Sequence, residues 1–303
     1  MSFYRDFNDK TAIEGWTTAA AAPYETIRVR RLSPTIGAEV EGVDLTLPIG
    51  DVQFAEIRRA VAENLVLVFP GQAISAHDQK RFAGRFGTLH RHLLGGSRAL
   101  SSNGADPEIL AWKTDGASRH TAGDAWHADV TCDKEPIWGS FLRLLAVPAI
   151  GGGDTAFANM YLAYESLSDP VKALLEGLTA IHDGSRAWTA GYGEKPEPGK
   201  AFPIAEHPVV PSHPLTGRKF LFVNEAFTSH IPQLTRPESD AILALLFRHV
   251  ERNLAFQTRV HWAADSLVFW DNWATQHHAV WDYFPFERSG ERVSVFIGQG
   301  PAR

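Results

Sequence analysis

The sequence predicts a mainly β protein, a β-sandwich or jelly roll carrying appended helices. Three observations lead there. Short segments of extended character recur through the middle and last third of the chain, with Gly and Pro between them. Helical periods are confined to the first quarter and two later insertions. No regular strand–helix alternation runs along the chain, which argues against a doubly wound sheet.

Residues 1–25 show no period and close at Pro23, so they read as a loose arm ahead of a single domain over 26–303. Ile27 to Leu32 and Gly37 to Val43 alternate like strands. Asp51 to Asn64 sets Phe54, Ile57 and Val61 on one helical stripe. Leu65 to Phe69 is a buried strand stopped by Pro70-Gly71. Ser75 with Asp78 marks a capped helix start, and Gly87 suits that helix's end. Trp126 to Val130, Phe141 to Val147 and Thr155 to Ala158 are short strand candidates, separated by Pro148 and Gly151 to Gly153. Asp169 to Leu178 reads as a helix capped by Ser168, with Pro170 in its first turn. Thr235 and Glu238 form a capping box for a helix from about Arg236 to Asn253, with Ile242, Leu245, Leu246 and Val250 on one side. Phe256, Thr258, Val260 and Trp262 then alternate with polar residues, and Leu267 to Asn272 and Arg292 to Gly298 complete the set.

Composition narrows the function classes. The 303 residues are 44% hydrophobic and 21% charged, too apolar for a disordered chain. One cysteine, Cys132, excludes a disulfide scaffold. A net charge of −6 argues against a nucleic-acid partner, which requires a basic footprint. No apolar run approaches the ~20 residues needed to cross a bilayer, and no export signal opens the chain. A cytoplasmic protein without a membrane partner is the resulting expectation.

The chemistry concentrates in a few residues. His127 and Asp129, two apart in an expected strand, would present an imidazole and a carboxylate on one face. That is two thirds of a facial triad for non-haem Fe(II). His277 could complete it from a distant segment, with its neighbour His278 as the rival, since adjacent strand residues point oppositely. Arg288 and Arg292 follow His277 by eleven and fifteen residues. Arginine suits a planar carboxylate through bidentate hydrogen bonds. His90, His182, His207, His213, His230, His249 and His261 read as surface or hydrogen-bonded histidines, and Cys132 as a small core residue.

Several motifs occur together and in order. They are Trp-His-Ala-Asp-Val-Thr at 126–131, Gly-Gly-Asp-Thr at 152–155, Asn-Glu-Ala-Phe-Thr at 224–228, Trp-Asp-Asn with Thr-Gln-His at 270–277, and Asp-Tyr with two spaced arginines at 282–292. The opening Gly-Ala-Glu-Val-Glu-Gly-Val-Asp-Leu at 37–45 and Phe-Gly-Thr-Leu-His-Arg-His at 86–92 agree. On these motifs, residues 27–303 resemble the taurine/α-ketoglutarate dioxygenase family of Fe(II)- and 2-oxoglutarate-dependent oxygenases. The resemblance implies a double-stranded β-helix, a cupin-like jelly roll. It implies His127, Asp129 and His277, not His278, as the iron ligands. Thr155 and Arg288 correspond to the residues that hold the distal carboxylate of 2-oxoglutarate. His92, Phe227 and Arg292 correspond to the substrate pocket, with Arg292 facing an anionic group and Trp188 near a further aromatic position. O2 is the other co-substrate, and succinate and CO2 are the by-products. Because Asp129 is retained, hydroxylation is the implied outcome, since related halogenases lack this carboxylate. A homo-oligomer, dimer or tetramer, is also implied.

The substrate pocket departs from the taurine-specific pattern. No tyrosine follows His92 closely, and Gly123 stands where taurine enzymes carry an amide. The stretch 93–123 is long and rich in Gly, Ser and Asp, in the manner of a mobile lid. A larger or more apolar anion, such as an alkyl sulfate, a longer sulfonate or an aryloxyalkanoate, fits as well as taurine. The same chemistry on a biosynthetic intermediate, by hydroxylation, desaturation or cyclisation, is the alternative, and a non-catalytic metal-binding jelly roll is a further one.

Overall fold

A computed structural model of the chain describes residues 9–19, 22–92, 106–121, 123–191, 201–298 and 300–301. The first half runs α1 (Asp9–Thr17), β1 (Arg28–Arg31), β2 (Ala38–Glu41), α2 (Asp51–Asn64), β3 (Val66–Phe69), α3 (Ala76–Ala83), β4 (Thr88–Leu89), β5 (Leu110–Thr114), β6 (Gly139–Ala146) and β7 (Thr155–Asn159). Then come α4 (Met160–Glu165), α5 (Asp169–Leu175), β8 (Thr179–Asp183), β9 (Ile204–Pro208), β10 (Thr228–His230), α6 (Arg236–Arg252), β11 (Gln257–Val260), β12 (Leu267–Asp271), β13 (Thr275–Ala279) and β14 (Arg288–Phe296). None of the helices described is long and apolar enough to cross a membrane.

The strands form three sheets. The largest has the order β1-β2-β3-β12-β6-β14-β4, with β5 also paired to β14; the others are β10-β8-β9 and β11-β7-β13. The described chain is therefore mostly β sheet with some helices, as the pattern of short strands predicts. β12 lies between β3 and β6 with all five of its residues buried. That position explains its unbroken apolar run, because a central strand buried on both faces cannot alternate. Phe141 of β6 and Phe269 of β12 are directly paired, and their rings stack at 4.1 Å. Phe69, Phe82 and Phe86 are buried too, and ring contacts at 4.7–5.6 Å run from Phe69 through Phe82 and Phe86 to the stacked pair.

Several expected elements end elsewhere. α3 keeps the Ser75–Asp78 capping box but stops at Ala83, short of Gly87. A Cβ on Gly87 would lie 1.9 Å from the Phe296 carbonyl oxygen, so this glycine admits the close approach of β14 rather than ending the helix. α5 ends at Leu175 and not Leu178. In α6, Leu246 and Val250 are buried as expected, but Leu245 is exposed and Leu243 and Ser239 take the inner face. The Trp126 to Val130 strand does not form: His127 makes one isolated bridge, and a turn follows. β5 falls inside the stretch expected as a lid, and residues 93–105 and 122 lie outside the described residues.

The expected loose arm also contains structure. α1 buries Trp16 against Tyr161 of α4, ring centroids 6.0 Å apart, while the Arg218 guanidinium lies 4.3 Å above the indole. A large aromatic residue so placed contributes through burial and stacking together. Trp16→Ala is expected to lower unfolding stability by about 3 kcal/mol in urea titration. A merely tethered arm would change it by less than about 0.5 kcal/mol.

Candidate active site

A cavity of about 540 Å³ takes one wall from the large sheet, through Leu142 of β6 and Arg288 and Arg292 of β14. Its other wall comes from the β11-β7-β13 sheet, through Thr155, His277 and Ala279. All nine residues that the sequence nominates line it: His92, His127, Asp129, Thr155, Trp188, Phe227, His277, Arg288 and Arg292.

His127 and His277 meet through their backbones. β13 pairs with β7 on one side, and on the other His127 N–H donates to the His277 carbonyl at 3.0 Å while His277 N–H donates back at 2.7 Å. Residues directly opposed in this way bring their side chains together, and the two imidazole centroids are 4.1 Å apart. Asp129 arrives by a different device. Val130 adopts φ +52°, a conformation rarely taken by a β-branched residue. Such a conformation costs about 1–3 kcal/mol and persists only where surrounding contacts hold it. Asn272 supplies some of them: its Oδ1 accepts from Asp129 N–H at 2.7 Å, and its Nδ2 donates to the Asp129 and Ile137 carbonyls at 3.0 and 3.1 Å. The expectation that His127 and Asp129 share a strand face is thus corrected. A bridge and a strained turn bring them together.

The result is one cluster in which a ligand atom from each of His127, Asp129 and His277 lies within 4.8 Å of the others, the one metal-type group found among the described residues. The Nε2 atoms of His127 and His277 stand 3.8 and 3.9 Å from Asp129 Oδ1. His127 Nδ1 is 2.8 Å from the Ala125 carbonyl, which holds the proton there and leaves the Nε2 lone pair facing the cluster. Burial pushes the His277 pKa well below its usual value, and that of His127 down as well. Both rings are therefore neutral, the form in which an imidazole can bind a metal. Burial alone would raise the Asp129 pKa, but Arg292, then His277 and His127, outweigh it and hold the carboxylate ionised. Arg292 Nη1 donates to Asp129 Oδ1, and Ser140 Oγ donates to Oδ2 at 3.0 Å. Two neutral imidazoles and one carboxylate fit a divalent metal of the facial-triad type. His278 turns away, with its ring 5.8 Å from Trp126.

Arg288 is 3% exposed, and among the described residues it forms no ion pair. Its guanidinium lies 4.6, 5.9 and 6.0 Å from the ring centroids of Trp112, Trp262 and Tyr283, and its Nε has no hydrogen-bond partner. Burial draws its pKa down, with Tyr283 the leading opposing influence. Thr155 Oγ1 accepts from Trp262 Nε1 at 3.0 Å in the same region. Gly153, at φ +68°, leaves the room: a Cβ there would meet Arg288 Cδ at 2.7 Å. A buried cation with an unused donor beside a hydroxyl is the chemistry that receives a carboxylate. Because β14 begins at Arg288, it carries Arg288 and Arg292 at an even spacing on one strand, so both reach the cavity.

His92 is buried, with an unpartnered Nε2, and burial followed by Arg292 pushes its pKa well below the usual value. His90, to which the sequence assigned no role, also lines the cavity and meets the His92 ring edge-on at 4.7 Å. Trp188 sits in a π-helical turn, Arg186–Gly191, with its ring 5.9 Å from Phe227. Gly123, at φ +83°, lies against His127: a Cβ would stand 3.0 Å from its Cε1. Sequence reasoning missed Ser140, Asn272 and Trp112. Asn272 left a signal, standing in the Trp-Asp-Asn motif, whereas Ser140 precedes the strand expected from Phe141.

Comparison with known proteins bears on this geometry. Residues 28–295 match the model of the family described as taurine catabolism dioxygenase TauD, TfdA family. A Schizosaccharomyces pombe protein named for alpha-ketoglutarate-dependent sulfonate dioxygenase activity is 32% identical over 277 residues, spanning 89% of this chain and 70% of that one. A Pseudomonas putida alpha-ketoglutarate-dependent sulfate ester dioxygenase is 31% identical over 292 residues, 91% of this chain and 92% of the relative. The crystal structure of a taurine dioxygenase from Burkholderia xenovorans superposes with a TM-score of 0.76 at 34% identity, covering 90% of each chain.

Proposed function

The chain belongs to the taurine catabolism dioxygenase TauD, TfdA family, and on that premise we propose how its cavity divides the labour of the reaction. The protein is an Fe(II)- and 2-oxoglutarate-dependent dioxygenase that hydroxylates a small anionic organic substrate, of the sulfonate, alkyl sulfate or aryloxyalkanoate class. Succinate and CO2 are the by-products. Where the hydroxylated carbon bears a sulfate or ether oxygen, or a sulfonate, the product collapses to a carbonyl compound and a leaving group. The observation that carries this reading is the triad itself, three deprotonated ligand atoms within 4.8 Å beside a buried arginine whose Nε is unpartnered. We read the large sheet and the β11-β7-β13 sheet as the two faces of a double-stranded β-helix, and expect a dimer or tetramer.

His127, Asp129 and His277 hold the iron, with Ala125 fixing one ring, Ser140 orienting the carboxylate and Asn272 holding the Asp129 backbone. When bound, iron couples oxidative decarboxylation of 2-oxoglutarate by O2 to attack on a substrate C–H bond. Arg288 and Thr155 hold the distal carboxylate of 2-oxoglutarate. Arg292 keeps the Asp129 carboxylate ionised through Nη1, while its Nε remains buried and unpartnered. That spare donor and the neutral His92 take the substrate's anionic group. Phe227 and Trp188 wall the rest of the substrate and exclude water.

The test is an anaerobic titration with Fe(II) and 2-oxoglutarate, followed in the visible spectrum. A metal-to-ligand charge-transfer band is expected, and it should shift when taurine, 1-hexanesulfonate, hexyl sulfate or 2,4-dichlorophenoxyacetate binds. A protein that binds metal yet shows no band would overturn the 2-oxoglutarate assignment.

A further inference from the structure

Within the segment Asn224 to Thr228, resemblance assigns a role only to Phe227, yet Asn224 makes the most connections. It is 1% exposed. Its Oδ1 accepts from Phe227 N–H at 2.9 Å, its N–H donates to Thr228 Oγ1 at 2.9 Å, and its carbonyl accepts from Thr228 N–H at 3.0 Å. These three bonds shape the turn that presents Phe227 to the cavity. The fourth leaves the turn: Asn224 Nδ2 donates to Thr131 Oγ1 at 3.1 Å.

Thr131 lies two residues beyond Asp129 and next to the strained Val130. It is fully buried, and its hydroxyl is also bonded to His182 Nδ1 at 2.8 Å. Val130 and Phe227 belong to one small apolar cluster, and both line the cavity. Asn272 anchors the N-terminal side of this ligand turn at Asp129. Asn224, acting through Thr131, anchors its C-terminal side. The residue ahead of Thr131 needs such support, because its left-handed backbone conformation persists only when its neighbours hold it.

We propose that Asn224 is a positioning residue, which through the Thr131 hydroxyl ties the Phe227 wall of the substrate pocket to the turn carrying the Asp129 ligand, and so sets where the substrate C–H bond lies relative to the metal. The inference rests on the dioxygenase reading. It follows from the geometry that the two turns yield together. It also follows that loosening them misplaces the substrate more than the 2-oxoglutarate, because the Phe227 wall belongs to this network whereas Arg288 and Thr155 do not. A misplaced substrate lets decarboxylation run with less hydroxylation, the remaining oxidising equivalents being reduced by ascorbate supplied in the assay, since about 1 Å of displacement is enough to slow an oriented reaction strongly.

Two variants of near-native shape test it. Thr131→Val removes the hydroxyl, and Thr131→Ser keeps it. Amide hydrogen exchange over residues 224–228, measured without ligands, should rise about tenfold in Thr131→Val and stay near wild type in Thr131→Ser. With hexyl sulfate and 1-hexanesulfonate as probes, hydroxylated product per succinate should fall at least about threefold in Thr131→Val and hold in Thr131→Ser. The 2-oxoglutarate affinity read from the charge-transfer band should be unchanged in both, a split that general loss of structure would not produce. Unchanged exchange at 224–228 would overturn the tie between the turns. An unchanged product ratio would overturn its positioning role. Failure of the wild-type protein to form any succinate would instead be failure of the dioxygenase reading.

Discussion

Alanine at His127, Asp129 or His277 is expected to abolish succinate formation from 2-oxoglutarate, with losses beyond the ~10–100-fold that changes around a metal's outer sphere cost. The stability effects should differ sharply among the three. His127 and His277 are buried and neutral, so removing either mainly opens space. Asp129 is the partner of Arg292, a guanidinium with an already unpartnered Nε. Asp129→Ala leaves that charge uncompensated, and breaking a buried pair from one side costs about 3–5 kcal/mol. Asp129→Ala should therefore melt lowest of the three. Adding Arg292→Met should restore much of its stability and none of its activity. Thermal melts and succinate assays on the four proteins check this. Full activity in the His127 and Asp129 variants would remove the triad from the mechanism, and a double variant no more stable than Asp129→Ala would remove the ion-pair argument.

The sequence made the triad's members legible but not the device that assembles it. Spacing nominated His127 and Asp129 through a strand, whereas the structure uses one bridge and a turn with Val130 at positive φ. No local pattern announces a valine in that conformation, because tertiary partners hold it there. The choice of His277 over His278 followed from the family motif, and its physical cause, the backbone bridge to His127, needs a pairing some 150 residues apart that periodicity cannot reveal. Central strands were readable because burial on both faces leaves an apolar run, as in β3 and β12. The arm was read as loose because α1 is only nine residues long; its order comes from Trp16 meeting α4 and Arg218. The last strand was expected to start at Arg292, which left Arg288 ahead of it. β14 in fact begins at Arg288, which explains why both enter one cavity.

Arg288→Met is expected to separate stability from function in the opposite direction. Arg288 has no ion-pair partner among the described residues, an unpartnered Nε, and aromatic rings around its guanidinium. A buried donor left unsatisfied costs about 1–3 kcal/mol, and more when charged. Methionine keeps most of the side chain's length and apolar contact while removing that charge. The ligand-free variant should thus be at least as stable as wild type, and by about 1 kcal/mol more stable if the lost cation–π contact with Trp112 is the smaller quantity. Adding 2-oxoglutarate with a divalent metal should reverse the order. A ligand present at ~100 times its Kd stabilises the protein that binds it by about 2.7 kcal/mol, and the variant has no cation to receive the distal carboxylate. The melting curves of the two proteins should therefore cross as 2-oxoglutarate is added, wild type rising and Arg288→Met staying flat. A variant that is strongly destabilised without ligand would show that Arg288 is held for the fold. A variant that still rises with 2-oxoglutarate would move the carboxylate site elsewhere in the cavity. A buried arginine that keeps a spare donor marks a site ready for an anion, at a cost to the empty protein that binding removes.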